Sequence, residues 1–419
     1  MKKMIILSMI CLVLSVQAAT PSFAATDALK KKKKAWDTIV TNTCPTGFKK
    51  PSPHCSSVVT PTFDRAGKLW LAWVNDGHVY VSSSDDKGKT LSAPMKINAQ
   101  ARAIDHNGEN RPKVLSGPEG ELYVSYTIKA KKKYTGDVFF SRSLDDGKSF
   151  DQPRSINDHD GPTSLRFENL AVRKDGHLYL TWLDKRDLFA AKAAKIPYSG
   201  SAIYYSTSSD KGATWSENRM LAEHTCECCR IAIDMDGRDL PVIIWRHVFE
   251  GSIRDHGTIT FADLNKANPM ARLSNDEWEL DGCPHHGPAL SFDAHEVAHV
   301  TWFTSGEKRQ GPFYARSTDG GKTFNNIQPI GPNDEQAEHP FVVTHGGIVY
   351  VTWKAFDDDK SVYRIMKSKD AGLTWSEPQT VMQTMEESDH PFLIVDDANV
   401  YASWWTSAEG WRVALVTEG

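Results

Sequence analysis

Short apolar runs rich in aromatic and β-branched residues recur along the chain, separated by polar turns that carry glycine or aspartate. The clearest are Leu69-Trp70-Leu71-Ala72-Trp73, Leu122-Tyr123-Val124-Ser125-Tyr126, Leu178-Tyr179-Leu180-Thr181-Trp182, Ala298-His299-Val300-Thr301-Trp302, Val349-Tyr350-Val351-Thr352-Trp353 and Val400-Tyr401-Ala402-Ser403-Trp404. Runs of this length and composition predict β-strands. Each sits in a unit of roughly 50 residues with room for four strands: one before it, the run itself, a third leading into a polar turn and a fourth leaving it. Seven units are expected. Cys226 to Leu273 fills a double-length gap between two polar turns with a unit built around Leu240-Pro241-Val242-Ile243-Ile244-Trp245. The last unit, His390 to Gly419, has room for three strands only. The stretch Ala35 to Val40 is expected to supply its missing outer strand, joining the chain ends and removing an exposed sheet edge.

The polar turns share one motif, present five times: Ser84-Asp85-Asp86-Lys87-Gly88-Lys89-Thr90-Leu91, then the octets beginning at Ser143, Ser208, Ser317 and Ser368 and ending at Phe150, Trp215, Phe324 and Trp375. The residues suit a tight hairpin. Aspartate accepts hydrogen bonds from nearby backbone amides, glycine supplies a positive φ, and the Thr or Ser adds a second side-chain bond. The motif resembles the Asp-box of sialidases and related propellers. That resemblance implies an all-β propeller; the seven units make it a seven-bladed β-propeller, a departure from the six blades of sialidases, with the six-bladed sialidase form as the alternative. It also implies a sialidase-type chemistry: three arginines against a substrate carboxylate, a tyrosine nucleophile with a glutamate partner, and an acidic acid/base residue. Arg111, Arg230 and Arg246 are the candidate arginines. No Arg-Ile-Pro stands at the first blade, where His54-Cys55 is found instead.

Among the 419 residues, 40% are hydrophobic, enough for a large core, and the net charge of −4 with no basic stripe argues against nucleic acid as a partner. The first residues read as a targeting segment: Lys2 and Lys3, an apolar stretch from Met4 to Val16, and Ser22-Phe23-Ala24 as a cleavage site. Residues 1–24 are therefore expected to be a signal peptide, 25–35 a Lys-rich tether, and 36–419 one propeller domain in the periplasm or outside the cell. Ile10 before Cys11 does not fit a lipid anchor, and no later stretch is long and apolar enough for a transmembrane helix. The chain is read as a monomer.

Cys44, Cys55, Cys226, Cys228, Cys229 and Cys283 remain after cleavage. In an oxidising compartment they suggest disulfides, Cys44 with Cys55, Cys226 with Cys283, or a vicinal Cys228–Cys229 pair. The alternative is a metal site. In a propeller the first strand of each blade lines the channel, and aligning the seven starts collects Cys55, Arg111, Glu168, Cys229, His286, His339 and His390 in one register. One residue earlier lie His54, Cys228, His285, Glu338 and Asp389. Imidazole with thiolate favours copper or zinc. The expected metal ligands are Cys228, Cys229, His285, His286, His339 and His390, with copper preferred to zinc. Arg111, Arg230 and Glu168 are the expected groups for binding or protonating a small substrate. The segments Thr225-Cys226-Glu227-Cys228-Cys229-Arg230 and Asp281-Gly282-Cys283-Pro284-His285-His286-Gly287-Pro288 look like the hallmark of a subgroup of sialidase-like bacterial proteins. Three functions stand open at this point: a metal-binding propeller with redox chemistry, a sialidase-like hydrolase acting on a glycan, and a non-catalytic scaffold.

Overall fold

The structure, a computed structural model, describes residues 35–332 and 335–416. The expected signal peptide and the tether up to Lys34 lie outside these residues. The described chain folds into seven antiparallel sheets in sequence order. The six-bladed alternative is thereby excluded. The innermost strands are Val59–Phe63, Lys113–Ser116, Leu165–Val172, Ala232–Met235, Ala289–Phe292, Gln336–His345 and Phe392–Val395. They define blades 1 to 7, and each neighbours the next around a ring, the last lying beside the first. The seventh sheet has three strands, ending with Gly410–Leu415.

The second strand of each blade is buried on both faces because neighbouring blades cover it. Leu69–Asn75 and Leu178–Asp184 have no exposed residue. One position of this strand carries Trp73, Trp182, Trp245, Trp302, Trp353 and Trp404, all fully buried, with Tyr126 as the equivalent in blade 2. Apolar clusters fill the seams between blades. One of them joins Leu71 and Trp73 of blade 1 to Ile394, Tyr401 and Trp411 of blade 7. Side-chain packing thus closes the ring where no strand is shared.

The five repeated turns fold as their residues dictate. In each, the serine Oγ accepts from the glycine amide, at 2.8–2.9 Å. The aspartate takes the Thr or Ser hydroxyl at 2.6–2.7 Å. The glycine has φ between 74° and 90° and lies against the preceding blade, Gly147 on Trp70 and Gly212 on Phe140. A side chain at either glycine would overlap that ring, so each turn also locks one blade onto another.

The expectation for Ala35–Val40 fails. These residues form no strand and do not pair with blade 7. Trp36 instead donates its Nε1–H to the Thr135 carbonyl at 3.0 Å in blade 2. Lys129 and Arg166 stand over its ring at 4.5 and 4.9 Å, so an aromatic face attractive to cations holds the segment there. Among the described residues no helix is long and apolar enough to cross a membrane.

Candidate functional site at the channel mouth

Loops that enter the innermost strands converge on the axis, and Glu109 lies at their centre. It is buried, with Oε2 accepting from the amides of Arg230 at 2.9 Å and Gly287 at 2.7 Å, and Oε1 from Arg230 Nη1 at 2.5 Å. Burial alone would raise its pKa, but Arg230 and the imidazoles of His339 and His390 hold it well below the ordinary carboxylate range. Three histidines stack beside it. His339 and His390 have ring centroids 3.4 Å apart, and His286 Nδ1 stands 3.2 Å from His339 Nδ1. Burial, then neighbouring His339, lowers His286 to about 3 and takes His390 well below its ordinary value. Both rings are therefore neutral near pH 7. His390 Nδ1 lies 3.5 Å from Glu109 Oε1 but makes no hydrogen bond. Glu109, His339 and His390 offer ligand atoms within 4.8 Å of one another, as do His286, Glu338 and His339.

The thiols form a separate group. Cys226, Cys228 and Cys229 are buried, with Cys226 Sγ 3.7 Å from Cys228 Sγ and 3.5 Å from Cys229 Sγ. Exposed Cys283 interacts with Cys228 from the next loop. All four are free, so neither a Cys226–Cys283 nor a Cys228–Cys229 disulfide is formed, whereas Cys44–Cys55 is. No set of ligand atoms among the described residues spans both thiols and imidazoles. The single cluster expected from Cys228, Cys229, His285, His286, His339 and His390 is thus resolved into two, and His285 belongs to neither.

The expected substrate groups are already engaged. Arg111 forms a two-pronged ion pair with Asp389 at 2.6 and 2.7 Å. Arg230 serves Glu109 and the carbonyls of Pro288 and Pro340. Glu168 accepts from Thr127 at 2.7 Å and pairs with Lys113 at 3.5 Å. Arg246 donates to the carbonyls of Arg254, His286 and Phe303. The three candidate arginines hold loops together, and Arg111 and Arg230 also line a cavity at the axis.

Beside the axial group lies a cavity of about 430 Å³, walled by Trp36, Tyr134, Lys129, Arg166 and Lys185, with His106, His285, Cys228 and Cys283 among its other lining residues. Tyr134 is 51% exposed and meets Trp36 edge-on at 5.3 Å. Arg166 pairs with Asp105 at 2.6 Å and Lys185 with Glu227 at 3.1 Å. Three cations thus face two carboxylates in the lining. His106 Nδ1 is 3.0 Å from the Ile104 carbonyl. Only an N–H can face a carbonyl, so Nδ1 carries the proton and Nε2 the lone pair. Burial is the main cause of its lowered pKa.

Sequence reasoning missed Glu109, His106, Trp36 and Tyr134. Glu109 lies two residues before Arg111, just outside the register that collected the other axial groups. The run Asp105-His106-Asn107-Gly108-Glu109 was the available signal, a polar loop next to a blade start.

No protein-family model matches the chain, and no curated protein matches it. Among solved structures, a polysaccharide lyase, an ulvan lyase, is similar over 92% of this chain and 95% of its own, with 14% identity and a TM-score of 0.56. An ulvan lyase bound to -[GlcA(1-4)Rha3S]- is similar over the same shares with a TM-score of 0.55. A Hadza microbial sialidase covers 87% of this chain and 75% of its own, at 14% identity and a TM-score of 0.51. A leech intramolecular trans-sialidase complexed with 2,7-anhydro-Neu5Ac covers 83% and 82%, at 9% identity and a TM-score of 0.51. At these identities the likeness establishes the fold, a β-propeller shared with sialidase and lyase structures.

Proposed function

We propose that the chain is a carbohydrate-active enzyme that binds an acidic saccharide in the cavity beside the channel mouth. The observation that carries this reading is the cavity's composition: Trp36 and Tyr134 next to Lys129, Arg166 and Lys185, with His106 at hand as a neutral base. Aromatic rings cover the apolar faces of sugars, and an excess of positive charge suits a carboxylate or sulfate. The fold agrees with this, since the sugars named in two of the similar structures, a glucuronate–sulfated rhamnose repeat and an anhydro-sialic acid, are acidic. In the proposed chemistry a cation neutralises the substrate's carboxylate, and His106 Nε2 moves a proton at the reacting carbon or oxygen. Incubation with uronate-containing polysaccharides and with fluorogenic sialosides tests this. Elimination is read from the ultraviolet absorbance of an unsaturated product, and hydrolysis from new reducing ends or fluorophore. Turnover that His106→Ala abolishes, and whose KM rises in Lys185→Met, supports the reading. No turnover on any acidic saccharide refutes it.

A second reading places a transition ion between Glu109, His339 and His390. It is favoured by the unpartnered Nδ1 of His390 and by the 4.8 Å grouping of the three ligand atoms. Two imidazoles and a carboxylate suit zinc, copper or iron. Copper bound here would give the redox reading its metal. Metal analysis of Glu109→Gln and His390→Ala beside the parent decides it, because both substitutions must lose the ion.

A further inference from the structure

We infer that Cys226, Cys228, Cys229 and Cys283 form a tetrahedral thiolate site for a zinc ion, distinct from the axial histidines and set in the wall of the cavity that Cys228 and Cys283 line. This goes beyond the proposed function and does not depend on it.

Sulfur spacing carries the inference. In a tetrahedral site with Zn–S near 2.3 Å, neighbouring sulfurs stand about 3.8 Å apart, since a tetrahedron's edge is about 1.63 times its centre-to-corner distance. Cys226 Sγ lies 3.7 and 3.5 Å from its two neighbours. A disulfide would need about 2.05 Å. Cys226, Cys228 and Cys229, with their sulfurs within 4.8 Å of one another, are therefore placed as three corners around one ion, and Cys283 would complete the fourth from the next loop. Three thiols in mutual reach also cannot all pair as disulfides.

Two loops supply the ligands. Residues 226–229 lead into blade 4, and Cys283 lies in the loop into blade 5, where it lines the same cavity as Cys228. The short Cys-x-Cys-Cys spacing places three corners from one turn, and the fourth comes from the neighbouring blade. All-sulfur donors select thiophilic ions such as zinc(II) or copper(I), and calcium and magnesium are excluded. Four protein ligands with three of them buried describe a closed, structural site, which suits zinc. Bound there, the ion ties the loop carrying Arg230 to the loop carrying His285 and His286.

The test uses the full chain purified without chelator and without oxygen. Metal content is measured by mass spectrometry for the parent, for Cys226→Ser, for Cys283→Ser and for Cys44→Ser/Cys55→Ser as the control. Stoichiometric zinc in the parent and the control, lost in the first two variants, is expected. A Cys226→Ser chain that fails to fold does not block the test. Cobalt added to the metal-stripped parent must give thiolate-to-cobalt charge-transfer absorption, with the strong visible bands of tetrahedral coordination. Four thiols must also become reactive only after chelation. Stoichiometric copper in place of zinc overturns the zinc assignment. Metal that persists unchanged in Cys283→Ser overturns the four-thiolate set. A metal-free parent whose non-reduced peptides link the four cysteines as disulfides overturns the site altogether.

Discussion

Replacing Arg111 tests whether this residue is a substrate group or a ring-closing brace. Its guanidinium holds Asp389 through two bonds, at 2.6 and 2.7 Å, and both side chains are only 4% exposed. The pair spans the seam where the chain ends meet: Arg111 precedes the inner strand of blade 2, Asp389 that of blade 7, and blade 1 lies between them. The guanidinium also donates to Gly108 O at 2.9 Å and stacks on Phe392 at 4.5 Å. Arg111→Met keeps much of the stem's volume but leaves a buried carboxylate without its cation, a change that costs about 3–5 kcal/mol. For a domain of about 380 residues the unfolding entropy is on the order of 0.8 kcal/mol per kelvin, so Tm falls by about 4–6 °C. Arg111→Met/Asp389→Leu removes both charges and is expected to regain most of that loss, because a buried ion pair exchanged for apolar groups is often close to neutral. Scanning calorimetry with urea titration measures all three proteins. A single variant within about 1 kcal/mol of the parent, or a double variant worse than the single, refutes the brace. On a saccharide substrate the repaired double variant keeps turnover. Its loss despite recovered stability would return Arg111 to the reacting groups.

Gly147→Ala, at φ 74° against Trp70, is expected to cost about 2 kcal/mol or more, whereas Gly120→Ala, at φ 90° in open space, costs only the backbone term of about 1 kcal/mol; urea midpoints compare the two. Glu109 titrates well below its ordinary value near 4.5, so its stabilisation is complete above that value and is lost as the pH falls through its folded pKa. His286, at about 3 against an ordinary 6.5, likewise withdraws stability as the pH falls below about 6.5. Acid titration of unfolding is therefore expected to decline from about pH 6.5 downward in the parent, and Glu109→Gln flattens the part below about 4.5. Cys44→Ser/Cys55→Ser opens a link between residues 11 apart and is expected to lower stability by about 2–3 kcal/mol in equilibrium unfolding.

The blades could be read from the sequence because their determinants are local and repeated. The serine, aspartate, glycine and Thr or Ser of each turn bond to one another within six residues, as in Ser208 to Thr214. One position of each second strand recurs as tryptophan or tyrosine, and it is fully buried in every blade. The placement of Trp36 has no such repeat behind it. Its position follows from two cations on blades 2 and 3 that the sequence shows only as Lys129 and Arg166. At the axis the register of blade starts does bring His286, His339 and His390 together, since those residues enter equivalent strands. It fails for their neighbours where the backbone leaves the extended region. His285 has φ 56° and His339 φ 50°, so side chains there do not alternate as they would along a strand. That is why His285 lines the cavity while His286 stacks at the channel mouth.

The same loops also explain why three candidate sites lie side by side. Residues 106 to 109 give His106 to the cavity and Glu109 to the axis. Residues 226 to 230 give thiols to one cluster and Arg230 to another, and residues 283 to 287 give Cys283, His285, His286 and the Gly287 amide to all three. Backbone amides of Arg230 and Gly287 both end on Glu109, so a shift of either loop disturbs the buried carboxylate. An ion on the four thiols would fix these two loops to each other, one residue from those amides on one side and four on the other. The thiol cluster is then a support for the axial group and the cavity wall. Loss of its metal should loosen the proposed saccharide binding and axial histidine geometry together, while substitutions confined to the cavity's aromatic wall, such as Tyr134→Ala, leave the metal in place.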